Sequence, residues 1–234
     1  MKRILKFLGI GLAALVLIVV IFGVLAHESL PKTRTGPEAD ALARKMLKAM
    51  NHEVYENTRF FEWSYQGGKN QYQWDKERGV CRVKWSKVEV DLNLIKPQTS
   101  RVKKEGVTVS GEGAQKLIAK ALSYFNNDSF WLVAPYKVFD EGTTRGIVDL
   151  EDGTQGLMVT YTSGGTTPGD SYLWKLNPNG FPNSYKMWVK IIPIGGLEAS
   201  WDDWMVVQSG AFLPKSHQLG PITLSMGNVK GYNE

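Results

Sequence analysis

An α+β fold built mainly on antiparallel sheet is what this chain predicts, and three observations carry it. Phe60–Leu94 alternates apolar and polar residues with period two, four times over. Two segments, opening near Pro37 and at Ser110, place apolar residues at helical spacing. From Gly146 onward, short strand-like runs are separated by Gly, Pro, Asn and Asp clusters. The expected organisation is a signal anchor or transmembrane segment over 1–27, a linker over 28–36, and one antiparallel β domain with two covering helices over 37–234.

Phe7–Ala26 has no charged side chain, follows Lys2, Arg3 and Lys6, and precedes Glu28, the first acid. A bilayer crossing takes about 20 apolar residues, and basic residues favour the cytoplasmic side. The run therefore predicts a single-pass inner-membrane protein with its domain in the periplasm. The alternative is a cleaved signal peptide that leaves a soluble periplasmic domain, since Val24-Leu25-Ala26 offers small residues for cleavage, although the run exceeds a usual signal core of roughly 7–15 residues. No cysteine follows the run, which excludes lipidation there.

After Pro31, Thr35 with Glu38 fits a capping box and Pro37 a first helical turn. Ala39, Leu42, Ala43, Met46, Leu47, Met50 and Val54 form one apolar stripe. In the meander, Phe61, Trp63 and Tyr65 share a face, as do Tyr72 and Trp74, then Cys81, Val83 and Trp85, then Val88, Val90, Leu92 and Leu94. Gln66–Lys69, Asp75–Gly79 and Ser86-Lys87 turn it, and Glu62, Ser64, Arg82, Lys84, Glu89 and Asp91 belong to a wet opposite face. Pro97–Gly106 reads as a solvated loop and Val107–Val109 as a strand. Ser110 then caps a helix striped by Ala114, Leu117, Ile118, Ala121, Leu122 and Phe125, which Asn126–Ser129 ends. Strands follow at Ile147–Leu150, Gly156–Thr162, Tyr172–Leu176, Tyr185–Ile192, Leu197–Trp201, Trp204–Ser209 and Ile222–Met226, with a Gly/Thr/Pro loop over Ser163–Asp170. The total is about ten strands and two helices.

Composition and motifs exclude several function classes. The formal net charge is +5, of which three lie in the first six residues, so no basic groove suited to nucleic acid emerges. Cys81 is the sole cysteine, so no intrachain disulfide can form. His27, His52 and His217 lack metal-ligand spacing; His217 reads as part of a polar turn after Pro214, and each histidine as a surface or capping residue. No HExxH, CxxC, GxSxG or GxxxxGK[ST] is present, and Gly164–Gly169 resembles a phosphate loop only loosely. Asp202-Asp203 and Asp149/Glu151/Asp152 sit in turns, where turn chemistry explains them, and they do not converge as a glycosidase pair must. The expectation is a protein that is not an enzyme and uses no metal or cofactor.

A helix, a meander, a second helix running into Asn127-Asp128-Ser129-Phe130-Trp131-Leu132-Val133-Ala134-Pro135, and a long run of strands together resemble the outer-membrane lipoprotein carrier (LolA-like) superfamily. The late stretch Gly210-Ala211-Phe212-Leu213-Pro214, with a strand ending at Gly227-Asn228-Val229, is similar to that superfamily's closing strands. The resemblance covers roughly residues 35–230. It implies an antiparallel half-barrel lidded by helices, with a lipid, acyl chain or acylated protein held on the concave apolar side. The residues that would line such a cavity are Met46, Met50, Phe61, Trp63, Tyr65, Tyr72, Trp74, Trp85, Phe130 and Trp131. The arginine such carriers place inside has Arg59 as its nearest candidate, for which a surface strand residue is an equal reading. The alternatives are a structural or interaction protein of the same fold with a filled core, and a hydrolase whose site the sequence does not display.

Overall fold

The computed structural model describes residues 25–164 and 167–234, together with Gly11 and Gly23. The anchor expected over 1–27 lies almost wholly outside the described residues, and among the described residues no helix is long and apolar enough to cross a membrane. The rest is a mixed α+β structure with two antiparallel sheets and few helices.

The first sheet is the meander. Strands β1 (Phe60–Tyr65), β2 (Asn70–Asp75), β3 (Val80–Trp85), β4 (Val88–Asn93), β5 (Arg101–Lys104) and β6 (Val107–Val109) pair in order, and β15 (Lys230–Tyr232) closes the other edge against β1. Register turns the period-two pattern into rungs. Phe61, Trp74, Cys81 and Leu92 stand in line on one face, and Trp63, Tyr72, Val83, Val90 and Val102 in the next line. The opposite face carries the rung Lys230, Glu62, Gln73, Arg82, Asp91, Arg101.

The second sheet has the order β12-β13-β11-β10-β9-β8-β7, with β14 also on β13. Its strands are β7 (Thr143–Asp149), β8 (Gln155–Tyr161), β9 (Ser171–Leu176), β10 (Pro182–Trp188), β11 (Leu197–Ser200), β12 (Asp203–Val206), β13 (Phe212–Leu219) and β14 (Ile222–Ser225). Ile147, Leu157, Trp174, Tyr185 and Ala199 form one buried rung, of which Leu157, Trp174, Tyr185 and Ala199 join the main core. The adjacent rung, Gly146, Met158, Leu173 and Lys186, faces outward. Val148, Met158 and Leu173 make a second small apolar cluster there. The strands thus divide between two sheets, and β13 spans the stretch read above as a turn.

Helix α1 (Pro37–Ala49) packs against β7 and β8 and buries Ala39, Ala43, Met46 and Leu47. It opens at Gly36 with no side-chain cap, because Arg34 is held in a β-bridge to Ile147 and Thr35 falls one residue too early for the capping box. Asn51 then adopts a left-handed conformation (φ 52) and starts a separate short helix, α2 (His52–Asn57), so the expected continuous stripe breaks after Met50. Helix α3 (Gly111–Val133) crosses the inner face of β4 and β5. Ser110 holds its N-cap position without a side-chain bond. The helix does not stop at Asn126–Ser129, since Asp128 and Ser129 are buried against the sheet and only Pro135 ends the run. The stretch expected as a solvated loop, Pro97–Gly106, holds strand β5, paired with β4 and β6, whose Arg101, Lys103 and Lys104 are exposed while Val102 is buried.

The segment expected as a free linker is a strap across the outer face of the second sheet. Glu28 N donates to Gly195 O at 2.9 Å, and Trp188 Nε1 donates to Glu28 O at 2.8 Å. At the other end Arg34 N donates to Ile147 O at 3.0 Å and the Arg34 guanidinium pairs with Asp149. A Cβ at Gly146 would stand 2.6 Å from Thr33 Cβ, so glycine is what lets the strap lie flat.

Candidate functional site

The ten residues expected to line a cavity are brought together, in two nests. In the first, Trp63 stacks on Tyr72 at 4.5 Å, and Trp74 meets Phe125 of α3 edge-on at 5.3 Å and lies 5.4 Å from Phe61. Trp85 meets Tyr124 edge-on. Tyr65 is buried beside them. In the second nest, Phe130 and Trp131 at the end of α3 face the second sheet: Phe130 lies 4.6 Å from Tyr172, and Trp131 5.7 Å from Tyr185. Met46 and Met50 are 0% exposed within the same continuous core. Tyr161, Tyr172, Trp174, Tyr185 and Trp201 complete the second nest; the shared face of Tyr172 and Trp174 in the sequence is the signal that could have enrolled them.

Three polar features are buried in this aromatic interior. Asp128, on the inner face of α3, accepts hydrogen bonds from Tyr72 OH, from Asn70 Nδ2 at 2.9 Å and from Asn127 Nδ2 at 2.8 Å. Burial pushes its carboxyl above the usual range, and these donors oppose that only in part. Asp128 therefore pins the helix to β2 through a polar contact inside an apolar interface.

His217 is fully buried on β13, where the sequence suggested an exposed turn. Its Nδ1 lies 2.8 Å from Ser200 O and its Nε2 2.7 Å from Trp131 O. Trp131 O is free for this contact because the residue four positions on is Pro135, which has no N–H to give. Burial pushes the imidazole below its ordinary value, against the two carbonyls and the nearby Asp202 and Asp203.

The third feature is a set of donors with no acceptor. Trp63 Nε1, Trp74 Nε1, Trp174 Nε1, Trp201 Nε1 and the Tyr185 hydroxyl are buried and make no hydrogen bond of normal geometry. Tyr185 and Trp201 are neighbours, with ring centroids 5.6 Å apart, and their polar ends lie near one another without good geometry. Leaving a buried donor unsatisfied costs about 1–3 kcal/mol.

Two surface grooves lie over the first sheet, and Phe61 and Trp74 border one while Trp63 and Tyr72 border the other, beside the polar residues of the wet face. One of about 540 Å³ is on the wet face of the first sheet, bordered by Phe60, Glu62, Gln73, Arg82, Asp91 and Tyr232. Its charges are largely engaged with one another: Arg82 with Asp91 at 2.9 Å, and Lys230 with Glu62 at 2.9 Å. Arg59 lies at the partly exposed edge of the sheet and not in the interior, beside Asp75 and Phe60, which border this groove. It pairs with Asp75 at 3.0 Å and Glu77 at 3.2 Å, and its hydrogen bond holds the Asp75 carboxyl below the usual range. Asp203 is tied to Lys215 and Ser216 rather than aligned with a second acid. Among the described residues no group of three or more His, Cys, Asp and Glu side chains is placed to hold a metal ion. No family model matches the chain, and no curated protein matches it.

Proposed function

We propose that this is a non-enzymatic binding domain of the bacterial envelope, tethered to the inner membrane by Phe7–Ala26, that takes a lipid or acyl chain between the sheets and helices in the manner of a lipoprotein carrier. The observation that carries the reading is the set of indole N–H groups and the tyrosine hydroxyl left without acceptors among stacked aromatic rings. Five such groups at about 1–3 kcal/mol each would cost as much as a domain's whole net stability. An acyl ligand with an ester, amide or carboxyl oxygen offers both an apolar chain for the rings and acceptors for the donors. Met46 and Met50 supply an adaptable wall.

A second reading is an interaction domain with a filled core. The complete burial of Met46, Met50 and Phe61 and the close ring contacts favour it. The two readings separate on the full chain purified in mild detergent, by native mass spectrometry and by titration with a brominated fatty acid, whose bromines quench indoles they touch. The carrier reading expects co-purified lipid and saturable quenching, reduced by Trp174→Phe. Absence of both overturns it and leaves the filled core.

A further inference from the structure

We infer that the hairpin between β10 and β11, residues 189–196, is a second membrane contact that lies in the bilayer surface beside the root of the N-terminal apolar run; this rests on the tether proposed above. The tip reads Val189-Lys190-Ile191-Ile192-Pro193-Ile194-Gly195-Gly196. Turns in water favour Gly, Pro, Asn, Asp and Ser; Pro193, Gly195 and Gly196 fit that, and Ile192 packs against the core, whereas Ile191 and the half-buried Ile194 are a poor match to that environment. Ile191 is 69% exposed, Pro193 is exposed as well, and neither helps the core.

Position gives this apolar tip its partner. Gly195 N donates to His27 Nδ1 at 3.1 Å, and Lys186 Nζ holds the Glu28 carboxylate at 2.7 Å. A Cβ at Gly23 would lie 3.9 Å from Ile194 Cδ1, and Leu25, two residues on in the chain, is 80% exposed. The tip and the end of the apolar run are therefore one patch. A run that ends in the bilayer at Ala26 puts His27 and Glu28 at headgroup level, and the hydrogen bonds from the strap carry the hairpin there too. Trp188 precedes the tip and Lys190 lies within it, residue types that settle at that level with an apolar body and a polar end. Ile95 and Val107, comparably exposed, sit on the first sheet, away from the strap.

The test uses the full chain in phosphatidylcholine–phosphatidylglycerol vesicles, with single cysteines carrying an environment-sensitive fluorophore and with lipids spin-labelled near the headgroup or deep in the chain. The positions are Ile191→Cys, Val107→Cys as the water-facing reference, and Ile18→Cys as reporter of the tether; buried Cys81 is checked for labelling in the unaltered chain. The inference expects a blue-shifted Ile191 probe, quenched by shallow spin labels at least twofold more than the Val107 probe. Deep quenching at Ile18 with Ile191 behaving like Val107 overturns the inference and leaves the tether standing. No quenching at Ile18 removes the tether and the inference with it. A blue shift at Ile191 without lipid quenching means that protein covers the tip, and likewise overturns the inference.

Discussion

The two sheets of this domain carry the same antiparallel pairing and opposite surfaces. Strands β1, β3 and β4 alternate strictly between buried and exposed or half-buried residues, because one face meets α3 and the other meets water. Strands β8 and β9 each bury four residues in succession, Gly156–Val159 and Ser171–Trp174. Their inner face joins the aromatic core, and their outer face lies under the strap. The contrast teaches that the pattern of a strand reports how many of its faces are covered. The first sheet is a free-standing surface with charged rungs. The second is a middle layer, and what covers it on the outside is also the root of the proposed tether.

The largest break in that comparison is expected where a charge is forced into the covered side. Met46 of α1 is 0% exposed, and the closed packing around it leaves an aspartate no route to solvent. Burying an unpaired carboxylate costs several kcal/mol, on the scale of total stability. Met46→Asp is expected to abolish the cooperative thermal transition followed by circular dichroism. Arg82→Ala, on the wet face of the first sheet, removes partly exposed ion pairs and is expected to change stability by about 0–1 kcal/mol. Collapse of the Met46→Asp domain is expected under either reading, because the interior is closed around Met46; a Met46→Asp domain that still melts cooperatively would show that the helix side opens to water even without a ligand.

A smaller effect is expected at the polar pin that Asp128 makes between α3 and the first sheet. Asp128→Ala leaves Asn70 and the Tyr72 hydroxyl buried without their acceptor. The loss is expected to be about 1–3 kcal/mol for each orphaned group, read from urea denaturation. Asp128→Asn, which keeps an acceptor oxygen, should recover part of it. Equal midpoints for wild type and Asp128→Ala would mean that the pin is stabilised no more than an apolar contact would be.

How much of this was legible follows from the same contrast. The meander could be read to within a residue or two at each strand, since one wet face keeps period two visible. Strand β5 was hidden because its exposed side chains are Arg101, Lys103 and Lys104, which look like a loop when their partner Val102 is the only inward residue. The end of α3 was misplaced because Asn126–Ser129 has the composition of a helix stop; the sequence does not say that Asp128 meets Asn70 and Tyr72 across the fold. Pro214 and His217 concealed β13 for the same reason, since a buried histidine between two carbonyls is a tertiary fact. The aromatic residues of the candidate site were identifiable by face. Whether they enclose space or fill it depends on volumes that no spacing encodes.

The strap offers a local break. At Gly195 a Cβ would lie 2.6 Å from Glu28 O and 2.5 Å from Trp188 Cδ1, so backbone as well as ring would have to move. Gly195→Ala is expected to release the strap while leaving the sheets folded. Trypsin should then cut faster after Lys32, with the melting temperature of the remainder nearly unchanged. Unaltered cleavage would mean that the hairpin yields instead and that the strap is held from its Arg34 end.

The smallest expected effect is also the one that compares the sheets most finely, because His217 ties the C-terminal end of α3 to the second sheet and has no counterpart on the first. Burial holds its folded value below the ordinary 6.5, while the unfolded chain titrates near that value. Between the two, the unfolded state binds more protons, so stability is complete above about pH 7 and declines as pH falls. One proton limits the slope to about 1.4 kcal/mol per pH unit. Asp128 works in the opposite sense, since a carboxyl raised by burial takes up its proton in the folded state first and gains stability as pH falls. The contribution of His217 is therefore read as a difference: the fall in melting temperature from pH 7.5 to 5.5 should be shallower in His217→Gln, whose amide can still donate to one of the two carbonyls. The ring contacts to Trp131 and Trp201 make the same residue readable by proton NMR. An imidazole titrating above its ordinary value, with a domain steadier in acid than at neutrality, would reverse the sign. Ser200 O and Trp131 O would then outweigh burial, and His217 would be a buried cation clamping helix to sheet.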